Sequence, residues 1–214
     1  MPNKKTLFNL ANIYFLISTI LVTYFTVAFG TVAGQVDTGS SYGLSYLATF
    51  TVESNIFLGL TALVSLIATR QNKLEKFLPT LYLVASTLAV LTCLVVVLYL
   101  SPLRVAAGKG YFDMLMGPMF FFHFFNPLLA ALTLIFLFPS REKLTLRSRL
   151  FALLPLSLYG VFYFAGVIAG LFPDFYSLTF SGRYYFIPLV VLIIASLVFG
   201  IASTLAHFYN RRRK

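Results

Sequence analysis

The chain has 214 residues, 59% hydrophobic and only 10% charged, with a formal net charge of +10. Soluble domains carry about 25% charged residues, so this composition and a mean hydropathy of +0.90 exclude an ordinary soluble protein. The one cysteine, Cys93, excludes an intrachain disulfide and a metal site built on cysteines.

A transmembrane helix needs roughly 20 mostly apolar residues. Six runs qualify in chain order: Leu7–Ala33, Leu44–Thr69, Phe77–Leu100, Met116–Phe138, Leu150–Leu171 and Tyr184–Phe208. The first run follows "MPNKK" but is longer than the roughly 7–15 apolar residues of a signal peptide, so it is read as a span. Breakers and charges lie between the runs, and the expected fold is all-α: one polytopic six-helix membrane domain over residues 1–214. "GTVAG" (Gly30–Gly34) and "GVIAG" (Gly166–Gly170) read as small-residue pairs that let helices approach closely.

Lysine and arginine mark the cytoplasmic side. Thirteen of the sixteen fall on one side, in the two termini and around Arg70 and Arg147. Arg104, Lys109 and Arg183 fall on the other. Both termini are therefore expected in the cytoplasm. The basic balance is a topology signal that also suits anionic lipid. It gives no nucleic-acid face, because no basic surface with interleaved aromatics stands outside the runs. No cofactor and no metal is expected. No feature of the sequence fixes an oligomeric state.

The second and fourth runs carry the polar residues that need a reason. "YLATFTVESNIF", residues 46–57, holds Thr49, Thr51, Glu53, Ser54 and Asn55. At 100° per residue Thr51, Ser54 and Asn55 share a face and Glu53 points away. "FFFHFFNPLL", residues 120–129, sets His123 among Phe120, Phe121, Phe122, Phe124 and Phe125. Both runs enter from the outer side, and Thr51 and His123 each lie 7 residues in, about 10 Å deep. Pro127 has no N–H, so an α-helical register frees the carbonyl of His123 beside Asn126. Apolar surroundings favour the uncharged imidazole, which can take a proton and activate a hydroxyl as a nucleophile. Thr26 sits in a similar Phe-Thr-Val context at a similar depth, and a helical threonine commonly bonds only its own preceding turn. His207, beside "NRRRK", reads as structural. Glu53 reads as a partner for Arg104, Lys109 or Arg183, or as a hydrogen-bonded acid.

"FTVESN" and "HFFNPLLA", with the six-span layout, resemble the androgen-induced transmembrane hydrolases and their bacterial six-helix relatives. The human members are threonine hydrolases that cleave fatty acid esters of hydroxy fatty acids. The resemblance places the family threonine on Thr51 and the family histidine on His123. It departs from the family at Thr49, where the bacterial branch usually has tyrosine, and Glu53 and Asn126 map to no known role. It implies a lipid-ester hydrolase of a bacterial cytoplasmic membrane, with a fatty acyl ester or membrane lipid as substrate. Ser54, Asn55 and Asn126 are the expected oxyanion or supporting groups. The five phenylalanines form an acyl wall, and Arg104 and Arg183 are expected to bind substrate at the outer mouth. The alternatives are a non-catalytic lipid-binding or transport protein, which the proline-broken fourth run suits, and an intramembrane serine protease, for which no Gly-x-Ser nucleophile faces a histidine.

Overall fold

The computed structural model describes residues 3–29, 47–71, 77–140, 142–171 and 173–212. The Gly30–Gly34 pair and the outer ends of the first two runs lie outside these residues. Among the described residues the structure is helical, with no strand. Five helical stretches are long and apolar enough to cross a membrane: Lys4–Ala28, Phe50–Arg70, Leu78–Ala106, Leu146–Ile168 and Tyr184–Arg211. They contain α1 (Lys4–Phe29), α2 (Phe50–Gln71), α3 (Leu78–Val95), α4 (Ser101–Ala106), α6 (Leu146–Phe151), α7 (Leu153–Ile168) and α8 (Ile187–Arg211).

The fourth expected span is shorter than the hydropathy run. Gly117 turns with φ 58° and Pro118 follows. The apolar helix runs from Phe121 to Leu137 and includes α5 (Asn126–Leu132). At about 1.5 Å per residue it covers roughly 25 Å, less than a hydrocarbon core about 30 Å thick.

Two prolines reshape the helices in the same way, and a third follows a helix end. The segments Val96–Leu100, Phe121–Phe125 and Thr133–Leu137 are wound with one extra residue per hydrogen-bonded turn, as π-helix. Their closing bonds run from Ser101 N–H to the Val96 carbonyl, from Asn126 N–H to Phe121 and from Phe138 N–H to Thr133. Each donor is followed by proline: Pro102, Pro127 and Pro139. A proline ring collides with the carbonyl four residues back, and a wider turn moves that carbonyl aside. The proline then stands five residues after Val97 and Phe122, with no N–H to give. Side chains fill both vacancies. The Tyr111 hydroxyl donates to the Val97 carbonyl at 2.7 Å, and Asn55 Nδ2 to the Phe122 carbonyl at 3.3 Å. The carbonyl that a side chain re-satisfies is therefore that of Phe122, not of His123 as an α register implies.

α3 is the centre of the bundle. It packs against α2, α5, α6 and α8, and α1 packs against α2. Phe8, Tyr82, Phe138 and Tyr209 join edge to face or tilted at one end of the core. α1 and α2 meet closely at Gly59, where an added Cβ would lie 2.8 Å from Thr19 Oγ1. In the apolar window of α3, 61% is buried, against 17% in those of the last two spans, which turn most of their surface outward. Gly166 is buried within α7, but Gly170 is not part of a helix–helix contact. It follows the helix at φ 70°, and Leu171 N–H bonds back to the Gly166 carbonyl at 2.9 Å, closing the helix in a left-handed cap.

Candidate functional site

The first turn of α2 carries Thr51. A helix start leaves its first N–H groups without intrahelical acceptors. The Thr49 carbonyl takes the N–H groups of Val52 and Glu53, both at 3.1 Å. The Phe50 N–H goes instead to the phenol oxygen of Tyr176, 2.7 Å away and 126 residues later in sequence. The same phenol also meets the backbone and hydroxyl of Thr51 and the hydroxyl of Tyr159. Tyr159 donates to the Ala48 carbonyl at 2.9 Å. Thus the entrance to α2 is sealed by aromatic hydroxyls.

Asp174 holds that seal in place. Its carboxylate accepts from Tyr163 OH, from Leu178 N–H at 3.0 Å, and from the N–H and hydroxyl of Thr179 at 2.8 and 2.7 Å. Burial pushes the Asp174 carboxyl up, but these donors outweigh it and hold it below its usual value. The loop they tie down carries Ser177, Phe180 and Ser181 in the left-handed region, and Tyr99 OH holds the Tyr176 carbonyl at 3.1 Å. Burial likewise raises Tyr176, so it remains a neutral phenol. Sequence reading missed Asp174, Tyr176, Tyr159 and Tyr163. The only local signal was "PDFYSLT", an aspartate after proline that can bond the backbone ahead of it.

One turn below Thr51 a polar seam joins four helices: α1, α2, α3 and α5. Asn55 Nδ2 donates to the Thr51 carbonyl at 2.8 Å as well as to Phe122, and Asn126 Nδ2 donates to Asn55 Oδ1 at 3.0 Å. Asn126 Oδ1 accepts from Tyr14 OH and Ser18 Oγ of α1. Thr19 donates to the Asn55 carbonyl, and Ser54 pairs with Thr92 of α3 at 2.9 Å. Ser54, Asn55 and Asn126 are all buried. Their amide and hydroxyl groups are therefore occupied in holding helices together, and this seam holds α2 beside the Phe121–Leu137 helix.

His123 is only 3% exposed. Its Nδ1 lies 2.5 Å from the Met114 carbonyl. A carbonyl only accepts, so Nδ1 carries the hydrogen, and in the neutral ring the lone pair is on Nε2. Thr51, 8% exposed, is buried at the neighbouring helix start. No hydrogen bond joins Thr51 to His123: the threonine hydroxyl is turned to Tyr176, and the histidine is fixed through Met114. Thr26 Oγ1 donates to the Val22 carbonyl at 2.7 Å, a bond to its own preceding turn.

The outer residues are arranged differently from expectation. Only Phe122 of the five phenylalanines is enclosed, with Val22, Val52 and Met119. Phe120, Phe121, Phe124 and Phe125 are 37–40% exposed and pack on one another along the outside of the helix. Arg104 is paired with Asp113 at 3.7 Å, so its charge is already met within the chain. Arg183 is exposed. Glu53 is exposed on the outer face of α2 and forms no ion pair among the described residues. Also among the described residues, no group of three or more His, Cys, Asp or Glu could hold a metal ion.

No family model matches the chain, and no curated protein or solved structure matches it.

Proposed function

We propose that this protein is an intramembrane lipid-ester hydrolase with six spans and both termini in the cytoplasm of a bacterial cell. Thr51 Oγ attacks the acyl carbonyl of a fatty acyl ester. Nε2 of His123 takes the hydroxyl proton and passes it to the departing alkoxide. Water, deprotonated by the same nitrogen, then cleaves the acyl-threonine and restores both groups. The observation that carries this reading is the Met114 carbonyl on His123 Nδ1. It orients the ring and leaves the basic nitrogen at Nε2, the role an acidic partner plays in hydrolytic triads. The Phe50 and Thr51 N–H groups at the start of α2, both held by the Tyr176 phenol at rest, would serve charge on an attacked carbonyl once that phenol moves away. Turnover requires Tyr176 to give up the Thr51 hydroxyl, so the arrangement described is a resting one.

Support for the orientation comes from the two ends of α3. Thr80, near its start, bonds Ser148 beside Arg147 and Arg149; Tyr99, near its end, bonds the Asp174 loop. The basic-rich connection and the Asp174 loop therefore sit at opposite ends of the bundle.

A second reading, lipid binding or transport without catalysis, is favoured by a groove of about 740 Å³ between α3 and α8. It is lined by Val90, Leu94, Leu192, Ile193, Leu197 and Ile201 among others. One experiment separates the two. The purified protein is treated with an alkyl fluorophosphonate and the adduct is mapped by mass spectrometry. A hydrolase gives a phosphonyl adduct on Thr51 that His123→Ala abolishes. No adduct on Thr51 in folded protein selects the second reading.

A further inference from the structure

We propose that the end of the bundle opposite the Asp174 loop carries a preformed site for the phosphate of an anionic phospholipid. A cavity of about 440 Å³ is lined by Lys143, Arg149, His207, Asn210 and Arg211. It gathers three cations and no carboxylate. Among the described residues none of the three is in an ion pair, and the buried Nε of Arg149 has no acceptor. A guanidinium in that state lacks a partner that an anion supplies, and phosphate matches its donor fork.

The cations are not a loose tail. Asn210 grips the backbone of Leu144 from both sides, accepting its N–H at 3.0 Å and donating to its carbonyl at 2.8 Å. The Tyr209 hydroxyl holds the Glu142 carbonyl at 3.1 Å. These bonds fix Lys143 on a short connection against α8, while Arg149 comes from α6 and Arg211 from the last turn of α8. Three separate pieces of chain thus present positive charge to one cavity, and the backbone that carries Lys143 is already fixed before a ligand arrives. Other basic side chains nearby are engaged elsewhere: Arg212 lies 3.9 Å from the ring centre of Phe136, and Arg147 stacks over Phe151.

A lipid headgroup is the source because of the flanks. Leu150 follows Arg149, and Phe208 follows His207; both are exposed apolar side chains next in sequence to residues that line the cavity. An anion seated among the cations would hang its acyl chains along these residues, as basic pockets between helices on the cytoplasmic side do for acidic lipids.

The test is native mass spectrometry of the full chain in detergent, titrated with dioleoyl-phosphatidylglycerol and, separately, with dioleoyl-phosphatidylcholine. The expected result is one tightly bound phosphatidylglycerol, weakened about a hundredfold by the triple variant K143Q/R149Q/R211Q. Lys143 lies on an exposed connection, so Lys143→Gln alone keeps the fold and should weaken binding about fivefold. The variant R70Q/R147Q/R212Q removes the same number of charges outside the cavity and should change affinity less than twofold. Equal loss in both triple variants would overturn the proposal in favour of diffuse attraction to the charged surface. Equal affinity for phosphatidylcholine, or displacement of the lipid by 10 mM inorganic phosphate, would also overturn it, the latter marking a site for free anions.

Discussion

His123 and Thr51 differ in how firmly they are held. His123 is locked by one bond to a backbone carbonyl, whereas Thr51 shares its surroundings with a tyrosine that can be changed without touching either residue. Tyr176→Phe removes the phenol oxygen, leaving the Phe50 N–H uncapped at a cost of about 1 kcal/mol. On the hydrolase account it also frees the Thr51 hydroxyl, so ester turnover should rise while the unfolding temperature in detergent falls. A fall in both would show that Tyr176 helps the reaction rather than restraining it. Thr26→Ala removes a hydroxyl bonded only to its own turn, and its turnover should stay within about twofold of wild type. Asp174 makes the seal sensitive to acid. Its pKa is depressed in the fold, so its contribution is complete above the ordinary value of 3.8 and is lost as pH falls through the lower folded value. Thermal stability measured from pH 6 to 2.5 should therefore drop more in wild type than in Asp174→Asn, which starts lower. Parallel curves would remove Asp174 as the anchor of the loop.

At the scale of elements, the Phe121–Leu137 helix is defined by a vacancy and the side chain that fills it. Pro127 denies the Phe122 carbonyl its backbone donor, and Asn55 provides one from α2. Asn55→Ala should destabilise the protein by about 2–3 kcal/mol, because buried polar groups on both helices are left unpaired. Pro127→Ala restores an N–H at position 127. In that background the loss of Asn55 should cost roughly 1 kcal/mol less, a coupling that a double-mutant cycle in denaturant reads directly. Additive effects would mean that the Asn55 contact with Phe122 carries no weight. The sequence told that this helix was broken near His123, since Pro127 and the polar Asn126 stand in an apolar run. It did not tell the register, because hydropathy counts residues and is blind to a turn widened by one. The same blindness moved the start of the helix past Gly117, whose turn lies inside an otherwise apolar stretch.

For the whole molecule, the apolar runs were legible because bilayer thickness imposes their length. Five of the six expected runs correspond to long apolar helices, and the sixth to the shorter Phe121–Leu137. The polar face of Thr51, Ser54 and Asn55 was legible from the helical period, and all three side chains are buried. The Asp174 loop was not, because its contacts with Phe50 and Tyr99 join residues 126 and 77 apart, and nothing local announces such a partner. The orientation has its own check: a cysteine at Ser177, in a Cys93→Ser background, should react with impermeant maleimide on intact cells, and protection there would invert the assignment. Ser40, expected on the same side, lies outside the described residues. The central claim, that Thr51 and His123 act as one catalytic unit, is tested most directly by hydrolysis of a chromogenic acyl ester. Wild type, Thr51→Ala, His123→Ala and the double variant are compared, each first shown to elute as a single symmetric peak in detergent. Each single variant should lose at least about a hundredfold in rate, and the double should be no slower than the slower single. Undiminished turnover by folded Thr51→Ala would contradict the account and leave His123 a packing residue fixed to Met114.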